Sequence, residues 1–406
     1  MKARICVIRQ GFYPLDPRVR REVLALEGAG HEVDVVCLRR PNEPGWERIG
    51  NVTVHRIAIA NRGSGKARYL FEYGGFMLVA AFLAAMLHLR RRFDLVQVNS
   101  MPDTLVFAAV VPRLLGAHVL LDLHECMPEF YAVKYDVGMR HPAVRVLAWL
   151  EQAAIRFANS VITCTDQMRE AFEGRGAAPG RIRVVMNSAN EDFFDPERHA
   201  PVAPADGEFR LICHGSVEQR YGIDTIVRAV ARLKDEIPGL RLAIYGEGSA
   251  LNDVQDLIRA LQVEDRVYVA GGFVPLEELL NAMAAADAGV VAVRRNIFRD
   301  LTHCNKMFDF ITMHKPAIVS RTRSVEAYFD ESCFQMFASG DDADLARVIA
   351  ELYRDPALRE RLVRNAVRAN EPYRWPHQRA VYLGVVEALA LPRPVDPEAA
   401  TRVAGA

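Results

Sequence analysis

The cysteines of this sequence are few and are not grouped. None of the seven cysteines forms a C-x-x-C pair, which argues against a zinc ribbon and against a disulfide framework. The sequence also shows no secretory signal, because residues 1–9, MKARICVIR, contain no long apolar stretch. Reduced thiols and the absence of a signal together favour a cytoplasmic protein.

Neither sign of charge is in excess. The 406 residues include 51 Lys and Arg and 51 Asp and Glu, so the formal net charge is zero. A nucleic-acid-binding protein concentrates basic residues in a stripe, and none is evident here, so no nucleic-acid partner is expected. Hydrophobic residues make up 50% and charged residues 25%, which is typical of folded proteins. The length predicts two domains.

The motif that would define a dinucleotide-dependent dehydrogenase is also missing. Such an enzyme needs G-x-G-x-x-G directly after its first strand, where glycines let the backbone approach a pyrophosphate. The corresponding turn here reads GFYPLDP. The sequence therefore argues against that class.

Only one long apolar run is present, and it is short for a membrane span. Residues 74–89 are nearly all apolar and are flanked by Lys66, Arg68 and the run 90–92. A spanning helix needs about 20 such residues. Three interpretations stay open: a buried helix of the first domain, a helix of residues 74–92 that lies on an anionic membrane surface, or a true span.

What the sequence does contain is a repeated alternation of short apolar runs and amphipathic segments, which predicts parallel-sheet α/β domains. The predicted strands are 5–9, 33–38, 94–99, 118–123, 160–165 and 183–186, then 209–214, 240–245, 266–270, 288–293 and 317–320. Helices are predicted over 18–28, 142–159 and 342–370. The proline-rich segment 196–207 predicts a linker. The predicted domains are thus 1–195 and 208–370, followed by a helix over 371–390 and a tail over 391–406.

Two predicted strand-to-helix turns in the second domain suit a phosphate. Gly215 and Ser216 follow a strand, and Arg220 adds a fixed positive charge before the next helix. Small residues there let the backbone N–H groups approach a diphosphate. The segment Gly246-Glu247-Gly248 forms a second, less specific turn of the same kind. These residues are predicted to bind the donor, or else to serve only as turns.

A third turn opens the predicted helix that starts at Asn305. Lys306 lies at its first position, where it can meet a phosphate, and Asp309 lies about one helical turn further on. A carboxylate there can accept hydrogen bonds from the two neighbouring hydroxyls of a ribose. The alternative is a helix with ordinary surface charges.

Candidate residues of the first domain follow its strands. His124 and Glu125 close the strand 118–123, and Glu129 is nearby. A histidine at the carboxyl end of such a strand is a site candidate, although a lone histidine is more often structural. Residues 11–20 are predicted to be the turn after the first strand. The predicted acceptor-side residues are Gly11, Arg18, Arg20 and Glu125. Arg18 and Arg20 could bind an anionic acceptor, or they could act only as caps and solvated charges.

Five segments, in this order and spacing, resemble the glycosyltransferase family 4 group: DPRVRREVLALEGAGHEVDVV, RIRVVMNSANEDFF, HGSVEQRYGIDTIVRAV, YGEGS and NKMFDFITMHKPAIVS. The resemblance covers nearly the whole chain. It implies the GT-B fold, which consists of two Rossmann-like doubly wound parallel-sheet domains with a cleft between them. It also implies retention of configuration and a C-terminal helix that crosses back to the first domain.

The resemblance also implies roles for individual residues. Asp309 matches the acid that binds the donor ribose, Gly215 matches the glycine beside the diphosphate, and His124 matches a histidine beside the transferring sugar. The remaining matches are the helix entry at Asn305 and Lys306 and the nucleotide-facing turn at Gly246 and Gly248.

The sequence departs from the family pattern at several of these positions. The acid is an aspartate where the family usually has glutamate, and the partner acid expected at position 301 is Leu301, with Asp300 beside it. An arginine and a lysine of the pattern are Ser216 and Tyr221, and the glycine after the second acid is His314. These changes leave the donor sugar open.

Together, these features predict a hexosyltransferase that uses a UDP- or GDP-linked sugar and a glycan or lipid-linked acceptor, in envelope polysaccharide or glycoconjugate synthesis. His124, Arg220 and Lys306 are the predicted catalytic residues. The cations are expected to stabilise the leaving diphosphate, so neither a metal ion nor a cofactor is expected. The alternative is an inactive GT-B protein that serves as a binding partner at a membrane surface.

Overall fold

The computed structural model of the protein describes residues 2–59, 66–191, 193–199, 207–272 and 274–391, without the side chains of 66–71. Two units divide the chain: Met1–Met186 together with Gln378 onward, and Asn187–His377. Most of the predicted linker 196–207 and nearly all of the predicted tail 391–406 lie outside the described residues.

The first unit contains an eight-stranded sheet in the order β3-β4-β2-β1-β5-β6-β7-β8. Its strands are β1 (Arg4–Arg9), β2 (Glu32–Leu38), β3 (Trp46–Ile49), β4 (Val52–Ile57), β5 (Leu95–Asn99), β6 (His118–Leu123), β7 (Ser160–Thr163) and β8 (Ile182–Val184). All neighbours are parallel except β3 and β4. Central strands such as β5 are buried along their whole length, as expected of a parallel sheet covered on both faces.

The helices of this unit are α1 (Pro17–Gly28), α2 (Lys66–Arg91), α3 (Val110–Leu114), α4 (Met127–Lys134), α5 (Pro142–Phe157) and α6 (Asp166–Gly174), with a 3₁₀ helix at Asp103–Ala109. The side chain of Asp16 caps α1 by accepting hydrogen bonds from the backbone N–H groups of Arg18 and Val19. The predicted turn over 11–20 is therefore wrong in part, because the helix begins at Pro17 and includes Arg18 and Arg20.

The second unit contains a six-stranded parallel sheet in the order β11-β10-β9-β12-β13-β14. Its strands are β9 (Phe209–His214), β10 (Leu240–Tyr245), β11 (Val267–Ala270), β12 (Ala288–Val291), β13 (Ala317–Ser320) and β14 (Gln335–Phe337). In both sheets the strand order reverses beside a central strand, between β1 and β5 and between β9 and β12. In open α/β sheets ligands bind at such points, outside the carboxyl ends of the strands.

The helices of the second unit are α7 (Ile223–Arg232), α8 (Leu251–Ala260), α9 (Leu276–Ala285), α10 (Lys306–Thr312), α11 (Arg323–Glu326), α12 (Asp342–Arg354) and α13 (Pro356–Asn370). Short 3₁₀ helices occur at Gln219–Tyr221 and Glu371–Tyr373. The single helix predicted over 342–370 is in fact two, because Pro356 cannot continue α12. Pro356 instead starts α13, which Asp355 caps through the backbone N–H of Leu358.

The last helix, α14 (Trp375–Ala390), starts in the second unit and continues in the first. Within the first unit its residue Gln378 accepts a hydrogen bond from the backbone N–H of Met186 at 2.7 Å. Tyr382 is fully buried and donates its hydroxyl to Gln97 Oε1 on β5 at 2.6 Å. The helix therefore completes the core of the first unit.

Helix α2 is longer than the predicted run and is buried on one face only. Phe76, Ala80 and Ala84 are fully buried, whereas Leu78 and Phe82 are 69% and 71% exposed. Within the described residues, Glu72–Arg91 is the one helical segment that could cross a membrane by length and composition, and only 28% of its most apolar window is buried. The interpretation as a buried helix therefore applies to one face of α2 only.

Candidate active site

Gly215 directly follows β9 and lies under the side chain of Lys306. Its φ is +94°, which favours glycine. A Cβ there would lie 2.4 Å from Lys306 Cε and 2.9 Å from Nζ, so any other residue would displace the lysine. Gly215 thus allows the ammonium group of Lys306, at the start of α10, to lie over the turn. The neighbouring Ser216 is exposed.

The second glycine turn, after β10, packs on the first. A Cβ at Gly246 would lie 1.8 Å from Gly215 O, and one at Gly248 would lie 2.1 Å from Val217 O. Hydrogen bonds from Gly215 N to Tyr245 O and from Val217 N to Glu247 O, both 2.8 Å, extend the pairing of β9 and β10. The contact between the two turns is therefore enough to require glycine at both positions, whatever ligand binds there. The side chain of Glu247 is exposed.

Three cations surround the ring of Tyr221, beside the first turn. Lys306 Nζ lies 4.0 Å from the ring centroid, and the guanidinium carbons of Arg299 and Arg220 lie 5.2 and 5.3 Å from it. A cation within about 6 Å of an aromatic face is attracted by its quadrupole. Tyr221 therefore holds together charges that would otherwise repel one another.

Arg299 is the member of this group that was not predicted from the sequence. It is 8% exposed, and its Nε has no hydrogen-bond partner among the described residues. A buried guanidinium N–H without a partner costs free energy, which a bound anion would recover. The sequence feature that could have indicated Arg299 is its position in the loop between the predicted strand 288–293 and the predicted helix that starts at Asn305. Asn305 itself is exposed and makes no side-chain cap bond to α10.

Asp309 lies on the first turn of α10 and faces His214 at the end of β9. His214 Nε2 and Asp309 Oδ2 are 3.6 Å apart, and the Phe310 ring packs edge-on against the imidazole. Burial raises the pKa of Asp309 to about 7, although Lys306 acts in the opposite direction. Burial and then Lys306 lower the pKa of His214 to about 3. Near pH 7 the imidazole is thus neutral and the carboxyl group exchanges its proton readily.

The position of the partner acid in the family pattern is apolar and buried. Leu301 is 9% exposed. The adjacent Asp300 does not replace the missing acid, because its carboxylate bonds Arg295 Nε at 3.0 Å and accepts from the backbone N–H of Arg323 at 2.9 Å. The described residues contain no group of three or more His, Cys, Asp or Glu side chains placed to hold a metal ion.

In the first unit, His124 follows β6 and bonds Asp122, the fifth residue of that strand. His124 Nε2 lies 2.6 Å from Asp122 Oδ2. The carboxylate of Asp122 also receives two hydrogen bonds from Arg18 on α1, at 2.6 Å from Nη2 and 2.9 Å from Nε. Burial opposes the charge of Asp122, yet Arg18 and then His124 hold its pKa well below the ordinary value.

Arg18, which was predicted either to bind an anionic acceptor or to act only as a cap, is committed to partners inside the first unit. It is 7% exposed and forms ion pairs with Asp122 and Glu22, while its Nη1 lies 3.1 Å from Cys164 Sγ. Arg20, Glu125 and Gly11 are half-buried, and their acceptor-side role stays a prediction. The second-unit residues around Gly215 form one cluster, and His124 with its partners forms another.

Both units of the chain match known glycosyltransferase domains. Residues 15–188 match the glycosyl transferase 4-like domain, and residues 208–355 match the glycosyl transferases group 1 domain. Alpha-D-kanosaminyltransferase of Streptomyces kanamyceticus is 24% identical over 86% of this chain and 92% of its own length. The lipopolysaccharide core biosynthesis glycosyltransferase LpsD of Rhizobium meliloti is 32% identical over 45% of this chain and 50% of its own.

Solved structures share the fold. Sucrose-phosphate synthase of Thermosynechococcus elongatus superimposes with a TM-score of 0.72 at 20% identity, covering 95% of this chain and 99% of that one. HepE of Anabaena, solved with UDP-glucose, gives 0.69 at 15% identity, covering 95% and 100%. The two α/β sheets, one wholly and one mainly parallel, and the two domain matches lead to the same identification. The chain belongs to the family 4-like glycosyltransferases of the GT-B fold and is a hexosyltransferase.

Proposed function

We propose that the protein transfers a hexose-type sugar from a UDP- or GDP-linked donor to a glycan or lipid-linked acceptor, with retention, in the synthesis of an envelope polysaccharide or glycoconjugate. The observation that carries the donor class is the group of Lys306, Arg299 and Arg220 around Tyr221, next to the open backbone of Gly215. A nucleoside diphosphate leaving group needs such charges.

The chemistry follows from where negative charge develops. When the bond between the anomeric carbon and the diphosphate breaks, the electron pair remains on the phosphate oxygen. Preorganised cations stabilise that charge without reorganising during the reaction. Lys306 is proposed to meet the phosphate nearest Gly215, and the Nε of Arg299, which has no partner among the described residues, is proposed to donate to it. With these groups in place the reaction is proposed to need neither a metal ion nor a cofactor.

Asp309 is proposed to receive the ribose hydroxyls. As a carboxylate it accepts two hydrogen bonds, and it lies one helical turn after Lys306. The structure of HepE with UDP-glucose and the glycosyltransferases among the relatives support a nucleotide-sugar donor here. His124 is proposed to lie beside the transferring sugar.

A two-step measurement tests the donor class. First, the melting temperature is measured against a panel of UDP-, GDP- and other nucleotide sugars, because a ligand that binds the native state raises it. Second, release of the nucleotide is followed with the donor selected and a panel of acceptor glycans and lipid-linked sugars. The anomeric configuration of the product, read by NMR, tests retention.

Lys306→Ala should abolish most of the turnover, and Lys234→Ala, a lysine beyond the end of α7, serves as the control. Near-normal turnover of Lys306→Ala would exclude its phosphate role.

Asp309→Ala should weaken the binding of the nucleotide in calorimetry, and an unchanged affinity would exclude the ribose role.

The buried Leu301 supports one alternative, an inactive GT-B protein that binds at a membrane surface. Under that alternative the donor binds and raises the melting temperature, but no donor in the panel turns over. Turnover of any donor excludes it.

The exposed face of α2 supports a peripheral position on the cytoplasmic side of a membrane. Leu78 and Phe82 lie one turn apart on that face, and α3, which packs on α2, adds Leu114 at 80% exposure. Arg90 and Arg92 are also exposed at the end of the helix. Apolar side chains beside arginines suit anionic headgroups.

Flotation with anionic liposomes tests this position. Phe82→Glu should remove the binding, whereas Tyr268→Glu, at an exposed aromatic residue of the second unit, should leave it intact. Absence of flotation by the wild-type protein would count against the membrane position and would leave the donor site unaffected.

A further inference from the structure

His124 is held at two points, one in its ring and one in its backbone. Its Nε2 lies 2.6 Å from Asp122 Oδ2, and its backbone N–H donates to Ser100 Oγ at 3.0 Å. The side chain is 14% exposed. Its orientation is therefore set by the protein before any ligand binds.

Asp122 can only accept in this arrangement. It is fully buried, and both of its oxygens receive bonds from the Arg18 guanidinium. Its Oδ2 also accepts from Asn99 Nδ2 at 2.8 Å. A carboxylate bonded by both nitrogens of a guanidinium fork stays ionised and has no proton to give. The proton of the bond to His124 must therefore belong to Nε2.

The support beneath Asp122 is itself anchored. Asn99 Nδ2 and Gln97 Nε2 both donate to Glu22 Oε2, at 2.9 and 2.8 Å, and Gln97 accepts from the Tyr382 hydroxyl. Each member of this buried chain is held by the next. Such second-layer hydrogen bonds are what fix a functional side chain to a fraction of an ångström.

The second ring nitrogen is left as an acceptor. Burial lowers the pKa of His124 below 6.5, and this effect outweighs the opposite influence of Asp122, so the ring is neutral at pH 7. A neutral imidazole carries one N–H only. With that proton on Nε2, Nδ1 presents a lone pair, and no group among the described residues donates to it.

We propose that Asp122, held by Arg18, is a positioning residue that locks His124 as the Nε2–H tautomer, so that Nδ1 accepts a hydrogen bond from a hydroxyl of the bound sugar. The proposal rests on the proposed function, in which His124 lies beside that sugar. It also sets a specificity rule: the group at this point must be a donor. A deoxy or O-methyl sugar lacks that donor and leaves the nitrogen unpaired.

The tautomer is measured directly by long-range ¹H–¹⁵N NMR of the histidine rings at pH 7. The chain has 11 histidines, and the signal missing from His124→Gln identifies the ring. The expected pattern is a protonated Nε2 and an unprotonated Nδ1, with Nδ1 shifting when the donor sugar is added. An Nδ1–H pattern, or a doubly protonated ring, overturns the proposal.

Asp122→Asn should lose this fixed pattern, because an amide can also donate to Nε2. Arg18→Met/Asp122→Asn removes both buried charges together and is used if the single variant is not folded by circular dichroism. An unchanged Nε2–H pattern in a folded variant shows that Asp122 does not set the tautomer.

Turnover tests which nitrogen matters. The amide of His124→Asn reaches the place of Nδ1, and that of His124→Gln reaches the place of Nε2. We expect kcat/KM of the Asn variant to exceed that of the Gln variant by about tenfold, which corresponds to ~1.4 kcal/mol and is of the size of one hydrogen bond. Equal values, or the reverse order, overturn the acceptor role of Nδ1. If the wild-type protein transfers no sugar at all, the proposed function fails, whereas the NMR result still decides the tautomer.

Discussion

Tyr221 occupies a position at which the family pattern has a lysine, and its ring lies between three cations. Arg220 and Arg299, which the ring holds near Lys306, bring positive charge to the same place. A flat aromatic face does not itself bind phosphate. It lowers the cost of crowding like charges, because each cation interacts with the ring quadrupole.

Arg299→Met should weaken the binding of UDP by tenfold or more, since a hydrogen bond to a charged group contributes about 1.5–3 kcal/mol. Uridine, which has no phosphate, should bind the variant as it binds the wild type. Isothermal titration with both ligands measures the difference. Arg228→Met, at an exposed arginine of α7, is the matched control. Equal losses for UDP and uridine would show that Arg299 supports the fold and does not contact the diphosphate.

Asp309 should make the protein less stable as pH rises. Its folded-state pKa, about 7, lies above the ordinary 3.8, so the native carboxyl group keeps a proton that the unfolded chain loses. The stabilisation is complete below about pH 4 and is lost as pH rises to about 7. Asp309→Asn keeps the neutral form at all pH values. Its stability advantage over wild type should therefore grow between pH 4 and 8, to at most about 4 kcal/mol.

Urea unfolding of both proteins at several pH values measures this advantage. Asp253→Asn, at an exposed aspartate of α8, removes the same charge elsewhere in the unit. An advantage of Asp309→Asn that does not change with pH would contradict a raised pKa.

Among the elements, the two glycine turns after β9 and β10 behave as one unit. Because a Cβ at Gly248 would lie 2.1 Å from the backbone oxygen of Val217, the turns must separate to admit any side chain. Gly248→Ala should therefore lower stability by about 1–3 kcal/mol, as overpacking does, and should also weaken nucleotide binding. Thermal unfolding and calorimetry measure both effects. Gly271→Ala, where no atom lies within 4 Å of the added Cβ, should cause neither; equal effects in both variants would contradict the explanation.

The sequence predicts the buried strands well because their apolar runs are continuous. The predicted bounds 209–214, 240–245 and 317–320 are those of β9, β10 and β13. The strands β3, β4 and β14 were not predicted. Two of these have only four and three residues, and β3 and β14 lie at sheet edges, where no long apolar run is required.

The sequence predicts those site residues that belong to local patterns. It does not predict contacts between residues that are far apart in the chain. Gly215 and Lys306 follow from strand-to-helix turns, which are local patterns. The pairing of Arg18 with Asp122 joins positions 104 residues apart, and nothing in the sequence indicates it. For the same reason Arg299 was missed, since its role depends on a ring brought to it by another strand-to-helix turn.

At the scale of the whole molecule, α14 belongs to the core of the first unit although it follows the second in the chain. Tyr382→Ala should destabilise the first unit by about 3–5 kcal/mol, as large buried truncations do. Addition of UDP should still raise the transition of the second unit. Scanning calorimetry with and without UDP separates the two, and Tyr382→Phe, which removes only the hydroxyl, should have a smaller effect. Loss of the UDP shift in Tyr382→Ala would contradict this assignment.

The position of Tyr382 also orders events during synthesis on the ribosome. Residues Asn187–His377 form a contiguous stretch and can fold as soon as they have emerged. Gln97 emerges much earlier, yet it can accept the hydrogen bond from the Tyr382 hydroxyl only after the entire second unit has been translated. The core of the nascent first unit therefore stays incomplete until α14 has been synthesised. We expect chaperones to bind the first unit mainly during that interval, while part of its core is exposed.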